Sequence, residues 1–311
     1  MRTAYEIVII GGGPAGMTAA LYACRARMKV LLVEKALCGG QVLVADTIEN
    51  FPGFPEGIKG PDLAEWMFKQ ASHFGLEVKT AEVSGVELKS GAKDGFKVRL
   101  QEGPVLEALS LIIATGAGWN KLNIPGEQKL TGRGVSYCAT CDGPLFKGKD
   151  VAVIGGGDTA LEDAIFLTKF ARKVTVVHRR DKLRATKILQ ERAFANKRIE
   201  FVLDSVAVEI KGTDRVETVV VKDVKTEKVS EVRADAVFML VGTTPNSQIV
   251  KSLVKTDEKG CILADDDMKT SVEGIFACGD VRKKLLRQVV TATGDGATAA
   301  FSAEHYVEGL I

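Results

Sequence analysis

One pattern constrains this chain more than any other, because it occurs twice: a β-branched strand, a glycine cluster, an amphipathic helix and a second strand. In the first copy the strand runs from Glu6 to Ile10, the turn is Gly11-Gly-Gly-Pro-Ala-Gly16, and the helix carries Met17, Ala20, Leu21, Cys24 and Met28 on one face. A strand from Val30 to Glu34 follows. In the second copy the strand is Asp150 to Ile154, the turn Gly155-Gly-Gly-Asp-Thr-Ala160, the helix face Leu161, Ile165 and Leu167, and the closing strand Val174 to His178. Gly155 follows Gly11 by 144 residues, a period that matches a repeated domain and is too long for a solenoid.

A glycine trio between strand and helix has a definite use. One glycine makes the tight turn, one lets backbone N–H groups approach a pyrophosphate, and one lets the helix pack closely, while the helix N-terminus stabilises the anion. Gly11, Gly13 and Gly16, with Pro14 and Ala15 between them, meet that description. Glu34 ends the next strand 23 residues after Gly11, close to the roughly 20 expected of an acid that binds ribose hydroxyls. In the second copy Gly155, Gly157 and Ala160 form the small-residue variant of the turn, with Asp158 and Thr159 inside it. At the offset of Glu34 stands His178, followed by Arg179 and Arg180, with Arg184 one helical turn further on. A carboxylate there would repel a 2′-phosphate, whereas arginines bind it through charge-assisted contacts. The first unit is thus expected to take a dinucleotide with free ribose hydroxyls, and the second NADPH.

Lys and Arg number 42 against 40 Asp and Glu, a net charge of +2 that recruits neither nucleic acid nor a membrane surface. No apolar run reaches spanning length, and the first strand begins so early that no leader is expected, so the default compartment is the cytoplasm. Cys24, Cys38, Cys261 and Cys278 are scattered and read as small buried hydrophobes.

After the first copy comes a Gly- and Pro-rich loop, Cys38 to Gly60, then a helix from Pro61 expected to bury Leu63, Trp66, Met67 and Phe74. Short strands follow around 77–83, 86–89 and 96–100, ending in the apolar run Leu109 to Ile113 before Ala114-Thr-Gly116. The second copy is likewise followed by a helix, 185–196, several strands, and the apolar run Ala236 to Val241. Residues 222–233 read as a solvated hairpin. Just before the second copy lies Cys138-Ala-Thr-Cys141, with Asp142 next. A Cys-x-x-Cys pair can bind zinc, do redox chemistry or be incidental. Zinc needs a second pair of ligands, and neither another such pair nor spaced histidines exist, so no metal is expected and redox use is favoured. Asp142 reads either as a residue of a helix start or as a proton donor to a thiolate or cofactor.

Together these motifs resemble the low-molecular-weight thioredoxin reductases over nearly the whole chain. The likeness covers the opening turn, Gly39-Gly-Gln41, Glu49-Asn50, Pro52-Gly53, Ala114-Thr-Gly116, the segment 135–143, His178-Arg-Arg180, the segment 274–280 and Arg287-Gln288. Pro144, where that family usually has an aromatic, and Asp295, in a run of small residues, depart from the pattern. The resemblance implies FAD as the first cofactor, with Gly40, Gln41, Asn50, Ala114, Thr115, Gly116, Gly279, Arg287, Gln288 and Val289 around it. It implies that Asp280 binds the ribityl or pyrophosphate region, and that the helix after Gln288 points its N-terminus at the flavin. It also implies a homodimer, thioredoxin or a similar small redox protein as partner, Cys141 facing the flavin, and Cys138 attacking the substrate.

The expected fold is two doubly wound Rossmann-like α/β domains, with the NADPH domain (118–246) inserted into the FAD domain (1–117 and 247–311). Electrons would pass from NADPH to FAD to the Cys138–Cys141 disulfide, then to a substrate disulfide. Because the cysteines precede Gly155 by about a dozen residues, donor and acceptor of the flavin share one domain, and a rotation about Gly116–Gly118 and Gly242–Asn246 is expected between half-reactions. Two rivals remain: a flavin enzyme feeding oxygen, a quinone or an iron protein, and a flavin-bearing redox sensor.

Overall fold

In the computed structural model, residues 4–45, 47–90 and 94–310 are described. Residue 46 of the Gly- and Pro-rich loop and the outermost residues of the expected domain limits, 1–3 and 311, lie outside them. The chain divides into two compact units, one of Met1–Gly118 with Thr244–Ile311 and the other of Trp119–Thr243, so the second is inserted into the first.

The first unit is built on a seven-stranded sheet. Its elements are β1 (Ala4–Ile10), α1 (Pro14–Arg25), β2 (Val30–Glu34), α2 (Gly60–His73), β3 (Glu77–Thr80), β4 (Val83–Leu88), β5 (Phe96–Leu100) and β6 (Leu106–Ile113). The short strand β7 (Ala117–Trp119) then leads out of the unit. The strand order is β3-β2-β1-β6-β5-β4, and β1, β2, β3 and β6 run parallel. Period-two alternation sends Ile7 and Ile9 to one face and Val8 and Ile10 to the other. Both faces are buried: one under the alanines of α1 and the C-terminal helix, the other among Phe96, Val98, Val250 and Ile262.

The second unit contains β8 (Val135–Ser136), α3 (Ala139–Asp142), β9 (Asp150–Ile154), α4 (Asp158–Leu167), β10 (Lys173–Val177), α5 (Lys187–Ala195) and β11 (Ile199–Val202). It continues with β12 (Ser205–Lys211), β13 (Thr218–Asp223), β14 (Val229–Arg233) and β15 (Ala236–Met239). A parallel sheet of order β11-β10-β9-β15-β8 is covered on one face by α4, through Leu161, Ala164 and Leu167. The antiparallel sheet β12-β13-β14 buries Val219 and Val221 with Ala152, Ile154 and Met239 of the parallel sheet. The expected hairpin is the β13–β14 pair. The parallel strands of the two sheets, covered on both faces, are the Rossmann-like architecture read from the repeated pattern, with β5 and β4 joining the first sheet antiparallel.

The return strand β16 (Thr243–Pro245) pairs with β7, and the chain ends with β17 (Ile275–Ala277) and α6 (Val289–Glu308). Beyond the stretch where β6 pairs with β5, β17 takes its place beside β6, with Ile275 opposite Leu111. Gly296 of α6 lies so close to α1 that a Cβ there would fall 2.2 Å from the Ala15 carbonyl oxygen. Small residues along both helices are what permit this approach.

Two sequence expectations shift. The strand expected over 77–83 stops at Thr80, and Val83 opens the next one. Trp66 is 54% exposed and lies 5.7 Å from the ring of Phe54, because the buried stripe of α2 runs through Leu63, Ala64 and Ala71 instead.

Candidate active site: two nucleotide turns and a disulfide

In the first unit the candidate residues gather where parallel neighbours β1, β6 and β17 end, the place where open α/β sheets bind ligands. Gly11 has φ +108°, and a Cβ on it would lie 2.4 Å from the Ala114 carbonyl oxygen. A Cβ on Gly16 would lie 1.8 Å from the oxygen of Gly11. By contrast, a Cβ at Gly13, the N-cap of α1, would meet nothing within 4 Å. Two of the glycines are thus dictated by protein sterics, and the third leaves open space at a helix N-terminus, as a pyrophosphate requires.

The residues around this turn are tied to it. Glu34 accepts hydrogen bonds from the backbone N–H of Gly12 (2.7 Å) and Ala36 (3.1 Å). A Cβ on Gly40 would fall 3.2 Å from the Cα of Gly13. Gln41 donates from Nε2 to the carbonyl of Ala117. Asn246 donates to the Thr115 carbonyl (2.9 Å), while the Thr115 hydroxyl donates to the Asn246 carbonyl (2.6 Å). Asn50 donates to Gln288 (3.0 Å), which caps α6 in a capping box with Thr291. Val289 is the first residue of that helix.

Gly279, with φ +73°, brings its backbone against Ala15, where a Cβ would sit 2.9 Å from the alanine Cβ. The next residue, Asp280, holds a buried Oδ1 that finds no hydrogen-bond partner among the described residues, and the same is true of Arg287 Nε. Burial pushes the Asp280 carboxyl upward, Lys284 and Arg287 pull it down, and Asp295 adds to the rise. An orphaned buried acceptor beside an open nucleotide turn fits a ligand that brings hydroxyl donors, as FAD does.

In the second unit Gly155 has φ +156°, and a Cβ there would meet the Leu240 carbonyl oxygen at 2.5 Å. Gly157 caps α4, and the Asp158 carboxylate accepts from Thr186 N (2.7 Å). Thr159 and Ala160 complete the first turn of the helix. Arg184 N donates to the Gly156 carbonyl at 2.7 Å, which folds the arginine loop back over the turn. Arg179, Arg180 and Arg184 are exposed, and none forms an ion pair among the described residues. Three unpaired guanidiniums above a nucleotide turn fit the 2′-phosphate of NADPH. His178 is placed differently from its neighbours: it is 6% exposed, faces inward, and its buried Nε2 has no partner among the described residues. Burial first, and then the charges of Arg184, Arg179 and Arg180, hold it below the ordinary histidine range.

The same unit carries Cys138 and Cys141, joined as a disulfide across a Cα separation of 5.3 Å. Cys138 caps α3, and its Sγ accepts the backbone N–H of Cys141 (3.3 Å) and lies 3.4 Å from the Thr140 hydroxyl. Ser136 Oγ accepts from Cys138 N (3.1 Å), and Asp142 N donates to the Cys138 carbonyl (3.1 Å). Behind the pair, Tyr137 stacks on Trp119 and donates to Glu127 (2.8 Å), a buried carboxylate that also accepts from Leu122 N and Ile124 N. No motif marks Glu127. Pro144 stands inside the 3₁₀ turn Gly143–Phe146, near its start, where its missing N–H costs nothing.

Two nucleotide-shaped turns and a redox disulfide define a pyridine-nucleotide oxidoreductase, and the family model "Pyridine nucleotide-disulphide oxidoreductase" matches residues 5–296; the chain belongs to that family. It is an NADPH-dependent oxidoreductase that works with FAD. It is 48% identical over 307 residues to the thioredoxin reductase of Bacillus subtilis, covering 98% of this chain and 96% of the relative. It is 45% identical to that of Treponema pallidum, covering 100% and 99%. Among solved structures it matches thioredoxin reductase from Streptococcus pyogenes with a TM-score of 0.94 at 48% identity over 99% of this chain and 100% of that one. Lactococcus lactis thioredoxin reductase, described as the FR conformation, matches with 0.67 at 47% identity over 98% and 99%.

Proposed function

We propose that this protein reduces the disulfide of thioredoxin or a similar small redox protein at the expense of NADPH. The observation that carries the reading is the Cys138–Cys141 disulfide on the unit that also holds the arginine-flanked nucleotide turn. In this reading, residues 1–117 and 247–311 bind FAD, through Gly11–Gly16, Glu34, Asp280 and the other candidates gathered there. Residues 118–246 bind NADPH, through Gly155, Gly157–Ala160, Arg179, Arg180 and Arg184. His178 supports the turn from beneath. FAD, when bound, supplies the two-electron relay between a nicotinamide hydride and a disulfide.

The residues then do the exchange. The resemblance to the reductases makes Cys138 the attacking thiolate once both cysteines are reduced, and the N–H of Cys141, which Cys138 Sγ accepts in the disulfide, would stabilise its charge. It displaces one substrate sulfur and forms a mixed disulfide, and Asp142 gives the leaving sulfur its proton. Cys141 then gives its proton to the Asp142 carboxylate and attacks Cys138 Sγ, re-forming the Cys138–Cys141 bond, and the second substrate sulfur takes that proton and leaves as a thiol. Rotation of one unit between half-reactions belongs to this reading. What supports it is that the disulfide and the arginine-flanked nucleotide turn, the flavin's acceptor and donor, lie on one unit. A homodimer rests on the resemblance to the reductases. A cytoplasmic location belongs to this reading, and among the described residues no helix is long and apolar enough to cross a membrane.

The deciding experiment is NADPH oxidation driven by oxidised thioredoxin, compared with oxygen and a quinone as acceptors. Thioredoxin should dominate, and Cys138→Ser should abolish that activity. Undiminished turnover in the variant would overturn the reading.

A further inference from the structure

Asp295 is buried in α6, 7% exposed, and belongs to none of the motifs above. Its carboxylate takes four hydrogen bonds. Oδ2 accepts from Gly279 N (3.0 Å), Arg282 Nε (2.9 Å) and Lys284 Nζ (2.7 Å), and Oδ1 accepts from Arg282 Nη2 (3.0 Å). The side chains of Arg282 and Lys284 are 16% and 6% exposed. Ion groups sunk this deep cost desolvation that their attraction barely repays, and apolar replacements are often neutral, so general stability does not account for the cluster.

Its position does. Asp295 sits one residue before Gly296, the point where α6 touches Ala15, and it clamps Gly279, which touches Ala15 as well. The Gly279 N–H that it holds belongs to the residue just before Asp280, the carboxylate whose buried Oδ1 has no partner among the described residues. Of its two cations, Lys284 is the one whose charge reaches Asp280, together with Arg287. The Lys284 ammonium is bound to the Asp295 carboxylate at 2.7 Å, and its charge acts on Asp280 as well. Here it is held on Asp295, which leaves Asp280 Oδ1 free.

We propose that Asp295 is a positioning residue for FAD: it retains Lys284 and Arg282 so that Lys284 does not pair with Asp280, and thereby keeps the Asp280 carboxylate open to the hydroxyls of the flavin's ribityl chain. This deepens the assignment of FAD to the first unit and rests on it. Neutralising Asp295 releases Lys284 toward Asp280, where the lysine competes with the cofactor.

The test titrates FAD into apoprotein and follows quenching of flavin fluorescence for wild type, D295N, K284M and D295N/K284M. D295N should weaken FAD binding about tenfold, and the loss should be at least about fivefold smaller in the K284M background, because the competitor is gone. Equal losses in both backgrounds would reduce Asp295 to a packing residue and overturn the proposal, as would wild-type affinity in D295N. Should D295N fail to fold, D295N/K284M still decides: it should fold and bind FAD within about threefold of wild type, and failure to bind sinks the idea. D280N separates the two levels. If it binds FAD as wild type does, or wild type takes up no FAD, the flavin assignment of Asp280 is wrong and the proposal falls with it. If D280N binds weakly and the coupling is missing, only the proposal falls.

Discussion

The imidazole of His178 lies directly against Gly156, where an added Cβ would come within 2.3 Å of Nδ1. A side chain at position 156 requires the imidazole to move. Gly156→Ala should overpack the site and destabilise the second unit by about 1 to 3 kcal/mol, and His178→Ala should recover part of that loss in the double variant. Thermal unfolding of the four proteins checks it, and simple additivity would refute the contact. The depressed pKa of His178 adds a pH signature. A group whose folded pKa is lowered contributes stability above its unfolded pKa of about 6.5 and loses it as pH falls through the folded value. Wild type should therefore lose more stability than His178→Gln between neutral pH and pH 5.

Arg179, Arg180 and Arg184 are exposed and free of ion pairs among the described residues, so replacing them removes binding without breaking the fold. Arg179→Gln with Arg180→Gln should raise the KM for NADPH about tenfold or more, since each charge-assisted hydrogen bond to the 2′-phosphate contributes about 1.5 to 3 kcal/mol, and leave that for NADH nearly unchanged. An equal rise for both nucleotides would mean that the arginines do not read the 2′-phosphate.

The roles of the two cysteines predict which variant traps the substrate. In Cys141→Ser the attacking Cys138 remains and the resolving thiol is gone, so a mixed disulfide with thioredoxin should accumulate on non-reducing electrophoresis. Cys138→Ser should trap little. If the trapping variant is Cys138→Ser, the roles are reversed.

What could be read from the residues and what could not divides along physical lines. The two glycine turns were legible because local sterics impose them: Gly11 and Gly155 both need positive φ and both abut a neighbouring strand's carbonyl. His178 was harder. Counting residues put it level with Glu34, yet Glu34 turns its carboxylate to the Gly12 N–H, while His178 is driven inward by the close approach of β10 to Gly156. That difference is tertiary and leaves no trace in spacing. Trp66 misled for a related reason, since three-residue steps from Leu63 include it while the face actually buried passes through Ala64 and Ala71. Asp295 showed only as an oddity among small residues, because its partners Arg282 and Lys284 precede the helix in an irregular segment that no periodicity places.

Asp163, on α4, offers a test of the second unit's energetics apart from catalysis. Its carboxyl is raised to about 6, by burial first and by the neighbouring charge of Glu162 second. The folded state thus binds this proton more tightly than the unfolded chain, whose value is near 3.9. Stability from Asp163 is accordingly full below about pH 4 and disappears as pH rises through 6, above which the fold carries a poorly solvated charge. The shift corresponds to at most about 3 kcal/mol, less after its partial exposure is allowed for. Asp163→Asn keeps the shape and removes the charge. It should raise the melting temperature by on the order of 5 °C at pH 8 and change it little at pH 4. Paired melting curves at the two pH values decide the matter: an equal gain at both would trace the effect to packing, and no gain at pH 8 would show that the carboxylate is well solvated in the fold.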